Sequence, residues 1–329
     1  MELGPLSDIA SEPGVTDIAV TCDGTVWADC GQGMRARTLR TPFPTAQSIR
    51  EFAVRLCSQL GRRLDDACPI ADASTMEGLR VHAVIAPLVP QGAAISIRLP
   101  SAVCPDLAAL MRNGMFPETW LPLLKGLVGR RASILVTGGT GAGKTTMLKA
   151  LLMQCPPAER IITVEEVREL GMIQHANHVS MVTREANMEG VGAIGLSRLI
   201  EATLRMRPDR VVVGECRGGE VVDLLRALNS GHSGGMTTLH ANQVESVPSR
   251  LVALGLLAGL QPQATAALAE GAFDVVLHVE RHAGERRITQ IGCLETEDGR
   301  LRGRALAVWD GHRMRFGRRW DDFMRRWKW

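Results

Sequence analysis

Residues 134–146 read Ile-Leu-Val-Thr-Gly-Gly-Thr-Gly-Ala-Gly-Lys-Thr-Thr, and no other stretch restricts the possible folds as much. Within it, residues 138–145 fit the spacing G-x-x-x-x-G-K-[ST]. Glycines at 138, 139, 141 and 143 open backbone dihedrals closed to residues with a Cβ, so that consecutive N–H groups can converge on one anion. Lys144 adds a compact positive charge, and the Thr145 hydroxyl is an oxygen donor of the kind Mg²⁺ takes. The apolar run 134–136 suits a buried parallel strand. Beyond the glycines, Met147, Leu148, Leu151 and Leu152 share one helical face until Pro156 and Pro157 stop the helix. Strand, glycine loop and helix in that order place the positive end of a helix dipole under bound phosphate. Gly138, Gly139, Thr140, Gly141, Ala142, Gly143, Lys144, Thr145 and Thr146 therefore read as the phosphate cradle of a nucleotide site.

Composition narrows the class. Hydrophobic residues are 45% of the 329, enough for two packed domains and too many for a disordered chain. The longest strongly apolar stretch, 251–260, has about half the length a membrane crossing needs. No basic-then-apolar signal opens the chain, and a soluble cytoplasmic protein is expected. Eight cysteines are scattered without a C-x-x-C pair, which points to buried reduced thiols rather than zinc or a disulfide framework. The net charge of +3 is uneven: residues 300–329 carry ten basic and three acidic side chains, and the other 299 carry 28 against 32. A body of net negative charge argues against direct nucleic-acid binding.

Read in order, residues 1–100 predict a smaller α+β domain. Strand-like runs at 15–20 and 25–28 flank a turn at 22–24, a helix covers 49–60, and further strands cover 81–85 and 93–99. Residues 101–129, rich in proline, read as linker and hinge. From 130 to 329 strands and helices alternate, which predicts α/β architecture with a parallel sheet covered on both faces. Ligands on such sheets sit at the carboxyl ends of strands. The phosphate loop, Glu165 and Glu166, Glu215 and His240 all fall at such ends.

Phosphoryl transfer needs a phosphate cradle, Mg²⁺, a positioned water and cations for the developing charge. Glu215 closes the apolar run 211–214 and is the candidate to hold Mg²⁺ through water or to polarise the attacking water. Glu165, Glu166 and Glu169 follow another apolar strand, and His240 follows a third. Arg205, Arg207, Arg210 and Arg217 are the arginines considered for phosphate contact.

Residues 131–255 resemble the secretion ATPases of type II and type IV systems, and within them the CpaF/TadA-like branch that powers Tad (Flp) pilus assembly. The likeness rests on four stretches in order: the phosphate loop at 138–146 (Walker A), Ile-Ile-Thr-Val-Glu-Glu-Val-Arg-Glu-Leu at 161–170 (the Asp box), Leu-Arg-Met-Arg-Pro-Asp-Arg-Val-Val-Val-Gly-Glu-Cys-Arg-Gly at 204–218 (Walker B) and Gly-His-Ser-Gly-Gly-Met-Thr-Thr-Leu-His-Ala-Asn at 231–242 (the His box). Weaker likeness covers 13–18, 61–65 and 97–98. Glu166 stands where the family has aspartate, and the tetracysteine module of some type II relatives is absent. The resemblance implies an α+β domain hinged to a RecA-like ATPase domain, six copies in a ring, ATP with Mg²⁺, and an inner-membrane pilus or secretion platform as partner. It gives Lys144 and Thr145 to phosphate and Mg²⁺, Glu215 or an Asp-box glutamate to water, His240 to sensing the γ-phosphate, and Arg98 to phosphate contact from the N-terminal domain. Arg217 is the remaining candidate at the Walker B end.

The tail 312–329 is basic and aromatic. Trp320, Phe323, Met324 and Trp327 follow helical spacing on one face. That face suits either docking on the protein's own body or contact with an anionic membrane surface or platform protein. A RecA-like nucleic-acid motor or conjugation factor, and a non-hydrolysing ATP-switched scaffold, are the rival functions.

Overall fold

The computed structural model describes residues 3–31, 33–75, 77–100, 105–171, 173, 175–184, 186, 191–282 and 284–328. Residues 101–104 of the expected linker and Trp329 of the tail lie outside these. The chain forms two units, Met1–Val103 with Val167–Met172, and Cys104–Glu166 with Ile173–Trp329.

In the first unit, α1 (Ser7–Ala10) and α2 (Ala46–Gln59) accompany β1 (Asp17–Val20), β2 (Val26–Asp29), β3 (Met34–Arg37), β4 (Ile70–Ser74), β5 (Arg80–Ile85) and β6 (Ala93–Arg98). These make one antiparallel sheet in the order β3-β2-β1-β6-β5-β4. The β1–β2 turn forms where Cys22-Asp-Gly24 predicts it, with the Asp23 carboxylate accepting from the Thr25 N–H. Strand alternation buries Ile18, Val20, Val81, Ala83, Ile95 and Ile97 on one face. Thr45 and Ser48 form a reciprocal capping box that starts α2, whose Ile49, Phe52, Ala53 and Leu56 close that face. Residues 167–172 were expected in the other domain. They join this one, where Glu169 accepts from Arg80 Nη1 at 2.7 Å.

The second unit contains α3 (Leu107–Arg112), α4 (Leu121–Gly129), β7 (Ile134–Gly138), α5 (Lys144–Leu152), β8 (Ile161–Glu165), β9 (His178–Val182), α6 (Leu196–Thr203), β10 (Arg210–Cys216), α7 (Glu220–Asn229) and β11 (Met236–Leu239). It continues through α8 (Val247–Leu257), α9 (Pro262–Ala269), β12 (Val275–His282), β13 (Glu285–Glu297), β14 (Arg300–Trp309), β15 (Met314–Phe316) and α10 (Trp320–Trp327). The sheet order is β15-β14-β13-β12-β7-β11-β10-β8-β9. From β12 through β9 every pair is parallel, and from β12 to β15 every pair is antiparallel. The expected parallel sheet is thus the larger part of a mixed one. β7 and β8 are buried along their whole length, as runs such as Ile134-Leu-Val136 require. Among the described residues no single helix is long and apolar enough to cross a membrane.

Two sequence expectations meet the structure here. The aromatic face of the tail is covered: Trp320, Phe323 and Trp327 are buried. Trp320 stacks with Phe316 at 5.1 Å and lies 6.4 Å from Trp120, while Arg130 Nη1 donates to the Arg326 carbonyl at 2.7 Å. This is the docking on the protein's own body that the spacing allowed, and an apolar face so covered is not available for insertion among lipids. The cysteines also divide. All seven described are free, and burial pushes the thiols of Cys57 and Cys155 up to about 11 and that of Cys216 up to about 12. Cys30 and Cys68, however, are exposed rather than buried.

Candidate active site

Parallel pairing of β7, β11, β10 and β8 sets their carboxyl ends side by side. The phosphate loop leaves β7, His240 follows β11, Glu215 lies near the end of β10, and Glu165 ends β8 with Glu166 next to it. Local sequence puts each group at a strand end, and the strand order puts the ends together.

The loop itself is shaped by close backbone contact. Gly138 has φ +151°, and a Cβ there would lie 2.2 Å from the Val279 carbonyl oxygen of β12. Because the obstacle is backbone, no rotamer change relieves it. Gly138→Ala is expected to cost about 2–3 kcal/mol through strain and overpacking. Thermal unfolding checks this, and a midpoint equal to wild type would refute it.

Lys144 starts α5 and is buried. Its Nζ donates to the carbonyls of Gly138 at 3.1 Å and Gly139 at 2.9 Å, and lies 4.0 Å from Glu215 Oε1. Glu215 Oε1 lies 2.8 Å from His240 Nε2, and its Oε2 accepts from Arg217 Nε at 2.5 Å. The Lys144 ammonium stands 3.5 Å from the His240 ring nitrogens. Burial and then Lys144 lower the His240 pKa, with Glu215 pulling the other way, so the imidazole is neutral at pH 7. A neutral ring donating Nε2–H to the carboxylate keeps Nδ1 as an acceptor.

Arg217 also reaches toward Glu166, 3.9 Å away, whereas Glu165 is buried against β10. A Cβ at Gly214 would lie 2.8 Å from Glu165 Cγ, so glycine there makes room for that side chain. Thr140, Gly141, Ala142, Gly143, Thr145 and Thr146 occupy the loop and the first turn of α5, as expected from their order. Arg98 belongs to the first unit, where its Nε donates to Asp17 at 2.9 Å.

Of the four arginines considered for phosphate, only Arg217 stands at these strand ends. Arg205, Arg207 and Arg210 lie at the opposite, amino end of β10. Arg210 is fully buried, and its Nε donates to Glu159 at 2.5 Å. Two other groups at the loop carry no local sequence signal. Arg286 on β13 donates from Nε to the Gly141 carbonyl at 3.2 Å, and His278 on β12 places Nδ1 2.9 Å from the Thr137 hydroxyl. Long sequence separation hides both.

The donors present, a hydroxyl at Thr145 and a carboxylate at Glu215, are hard oxygens that suit Mg²⁺. No cluster of three His, Cys, Asp or Glu able to hold a metal occurs among the described residues.

A family model described as type II/IV secretion system protein matches residues 14–306. A Mycobacterium tuberculosis (strain H37Rv) protein named for conjugal transfer is 43% identical over 317 residues, spanning 94% of this chain and 89% of that one. The type IV secretion system protein PtlH of Bordetella pertussis is 31% identical over 313 residues, spanning 85% of this chain and 91% of its own. The structure of the Legionella pneumophila ATPase DotB covers 89% of this chain and 80% of its own with a TM-score of 0.61 at 18% identity, a likeness of fold. The phosphate loop and the strand-end carboxylates thus sit within a match that runs through both units, and the chain belongs to the family of type II/IV secretion system proteins.

Proposed function

We propose that this chain is a Mg²⁺-dependent ATPase that works as a homohexameric ring and powers a Tad/Flp-type pilus or a type II/IV secretion platform. It acts in the cytoplasm at the inner face of the cell membrane and reaches the membrane through that platform protein. The observation that carries the reading is the cluster of Lys144, Glu215 and His240 at the phosphate loop.

The loop N–H groups and Lys144 receive the β- and γ-phosphates of ATP, exchanging carbonyl contacts of the lysine for phosphate oxygens. Thr145 would hold Mg²⁺ by its hydroxyl and Glu215 would hold it through water, and the ion would supply positive charge against the phosphates. Glu215 orients the attacking water, and the neutral His240 hydrogen-bonds it and reads the γ-phosphate. Arg217 aims the Glu215 carboxylate and links it to Glu166, and Glu165 supports the strand end from below. Arg98 supplies a further phosphate contact.

Glu215→Gln keeps the size of the side chain and removes its charge, so it separates turnover from binding. Its kcat is expected to fall about 10²- to 10³-fold, while a fluorescent ATP analogue still binds. Phosphate release measured across size-exclusion fractions gives turnover and assembly together. A variant with wild-type turnover would remove Glu215 from the water-orienting role. Activity confined to a monomer would remove the ring.

A second reading, a conjugation factor, draws on the name of the mycobacterial relative. Stimulation of the ATPase by DNA would favour it. The acidic balance outside the tail argues against direct nucleic-acid contact.

A further inference from the structure

The hairpin of β12 and β13 meets the phosphate loop at two ends. At the inner end, β12 runs parallel to β7 with His278 beside Thr137 and Val279 beside Gly138. His278 is buried, bridging the Thr137 hydroxyl at 2.9 Å and Glu280 at 3.2 Å. At the outer end, Arg286 of β13 donates to the Gly141 carbonyl, and a Cβ on Gly143 would lie 3.1 Å from Arg286 Cδ. The Met115 carbonyl accepts from the Ile288 N–H at 2.8 Å, which fixes the start of β13 beside the loop.

The peptide units of such a loop are oriented by what their carbonyls bond as well as by what their N–H groups face. Lys144 meets those of Gly138 and Gly139. Arg286 meets that of Gly141, from a residue 145 positions along the chain. We propose that Arg286 is a positioning residue of the nucleotide site, holding the Gly141 carbonyl outward and so presetting the loop for phosphate. The inference rests on the nucleotide-site reading above. Arg286 does its work on the loop before phosphate arrives, so its removal weakens nucleotide binding more than the chemical step.

The test uses the full chain, as wild type, Arg286→Ala, Arg286→Lys and Lys144→Ala. The measurements are equilibrium binding of a fluorescent ATP analogue, steady-state phosphate release and the thermal midpoint. Arg286→Ala is expected to raise Kd and KM about three- to tenfold, the loss of one charge-assisted but exposed hydrogen bond. The kcat and the midpoint stay close to wild type, because the side chain is exposed. Arg286→Lys, which keeps a charged donor, recovers part of the affinity. Wild-type Kd and KM in Arg286→Ala, beside binding lost in Lys144→Ala, would overturn this inference and leave the nucleotide site standing. A fall in kcat and midpoint with Kd unchanged would also overturn it, since that marks support of the fold alone. No ATP binding by the wild type would overturn both readings.

Discussion

Lys144→Ala is expected to abolish ATP turnover, with kcat/KM falling by at least about 10²- to 10³-fold, as when a preorganised group facing developing charge is removed. The ammonium stands between two loop carbonyls and the Glu215 carboxylate, so it is already held where phosphate would arrive. Alanine takes away the cation that the β- and γ-phosphates need and leaves the glycine backbone intact. Folding and assembly are therefore expected to survive, and size-exclusion elution should match the wild type. Phosphate release by the purified variant is the direct measurement. Turnover within a factor of a few of wild type would mean that the loop does not hold the reacting phosphates.

The largest stability effect is expected at the other end of the same sheet. Glu159→Ala leaves the fully buried Arg210 guanidinium with only neutral acceptors, the carbonyls of Val128 at 2.7 Å and Gly234 at 3.5 Å. Breaking a buried pair by removing one partner costs about 3–5 kcal/mol. Arg131 loses the same carboxylate, which it contacts at 2.7 Å, but keeps Asp209 at 2.9 Å and stays half in water. For a unit of this size the loss corresponds to a midpoint lower by roughly 6–20 °C. Glu159→Leu combined with Arg210→Met should recover most of it, because an apolar pair leaves no stranded charge. Chemical denaturation of the three proteins decides the matter. A single variant within about 1 kcal/mol of wild type would show that water reaches Arg210 and screens it.

The two experiments separate two kinds of information in one domain. Lys144 was legible from a local pattern, and its burial among carbonyls adds geometry to a role already suggested by spacing. Arg210 was read as a phosphate candidate because it stands in the basic stretch 205–217. The structure places it at the amino end of β10, locked to Glu159 across 51 residues. Only Arg217, past the carboxyl end of that strand, reaches Glu215. Which end of a strand a charge occupies decides its chemistry, and the direction of β10 separates the two.

The tail teaches the same lesson from the apolar side. Helical spacing of Trp320, Phe323 and Trp327 correctly predicts an amphipathic helix, because the period of 3.6 is a local property. It does not name what covers the face. Trp120, just before α4, and Phe316 of β15 supply the cover. The antiparallel strands, β12 to β15, were not read from the sequence. Their apolar residues alternate only in part, and their pairing is non-local.

By itself, then, the sequence determined the phosphate loop, the strands that end in Glu165, Glu215 and His240, and the family of the chain. Glycine dihedrals, apolar runs and helix periods act within a few residues, so each is legible where it stands. Only the tertiary structure decided that Arg286 and His278 meet the loop, that Arg210 is a buried structural cation, and that the tail's aromatic face is closed. Those contacts join residues from different strands and helices, and such partners become neighbours only when the sheet order is set.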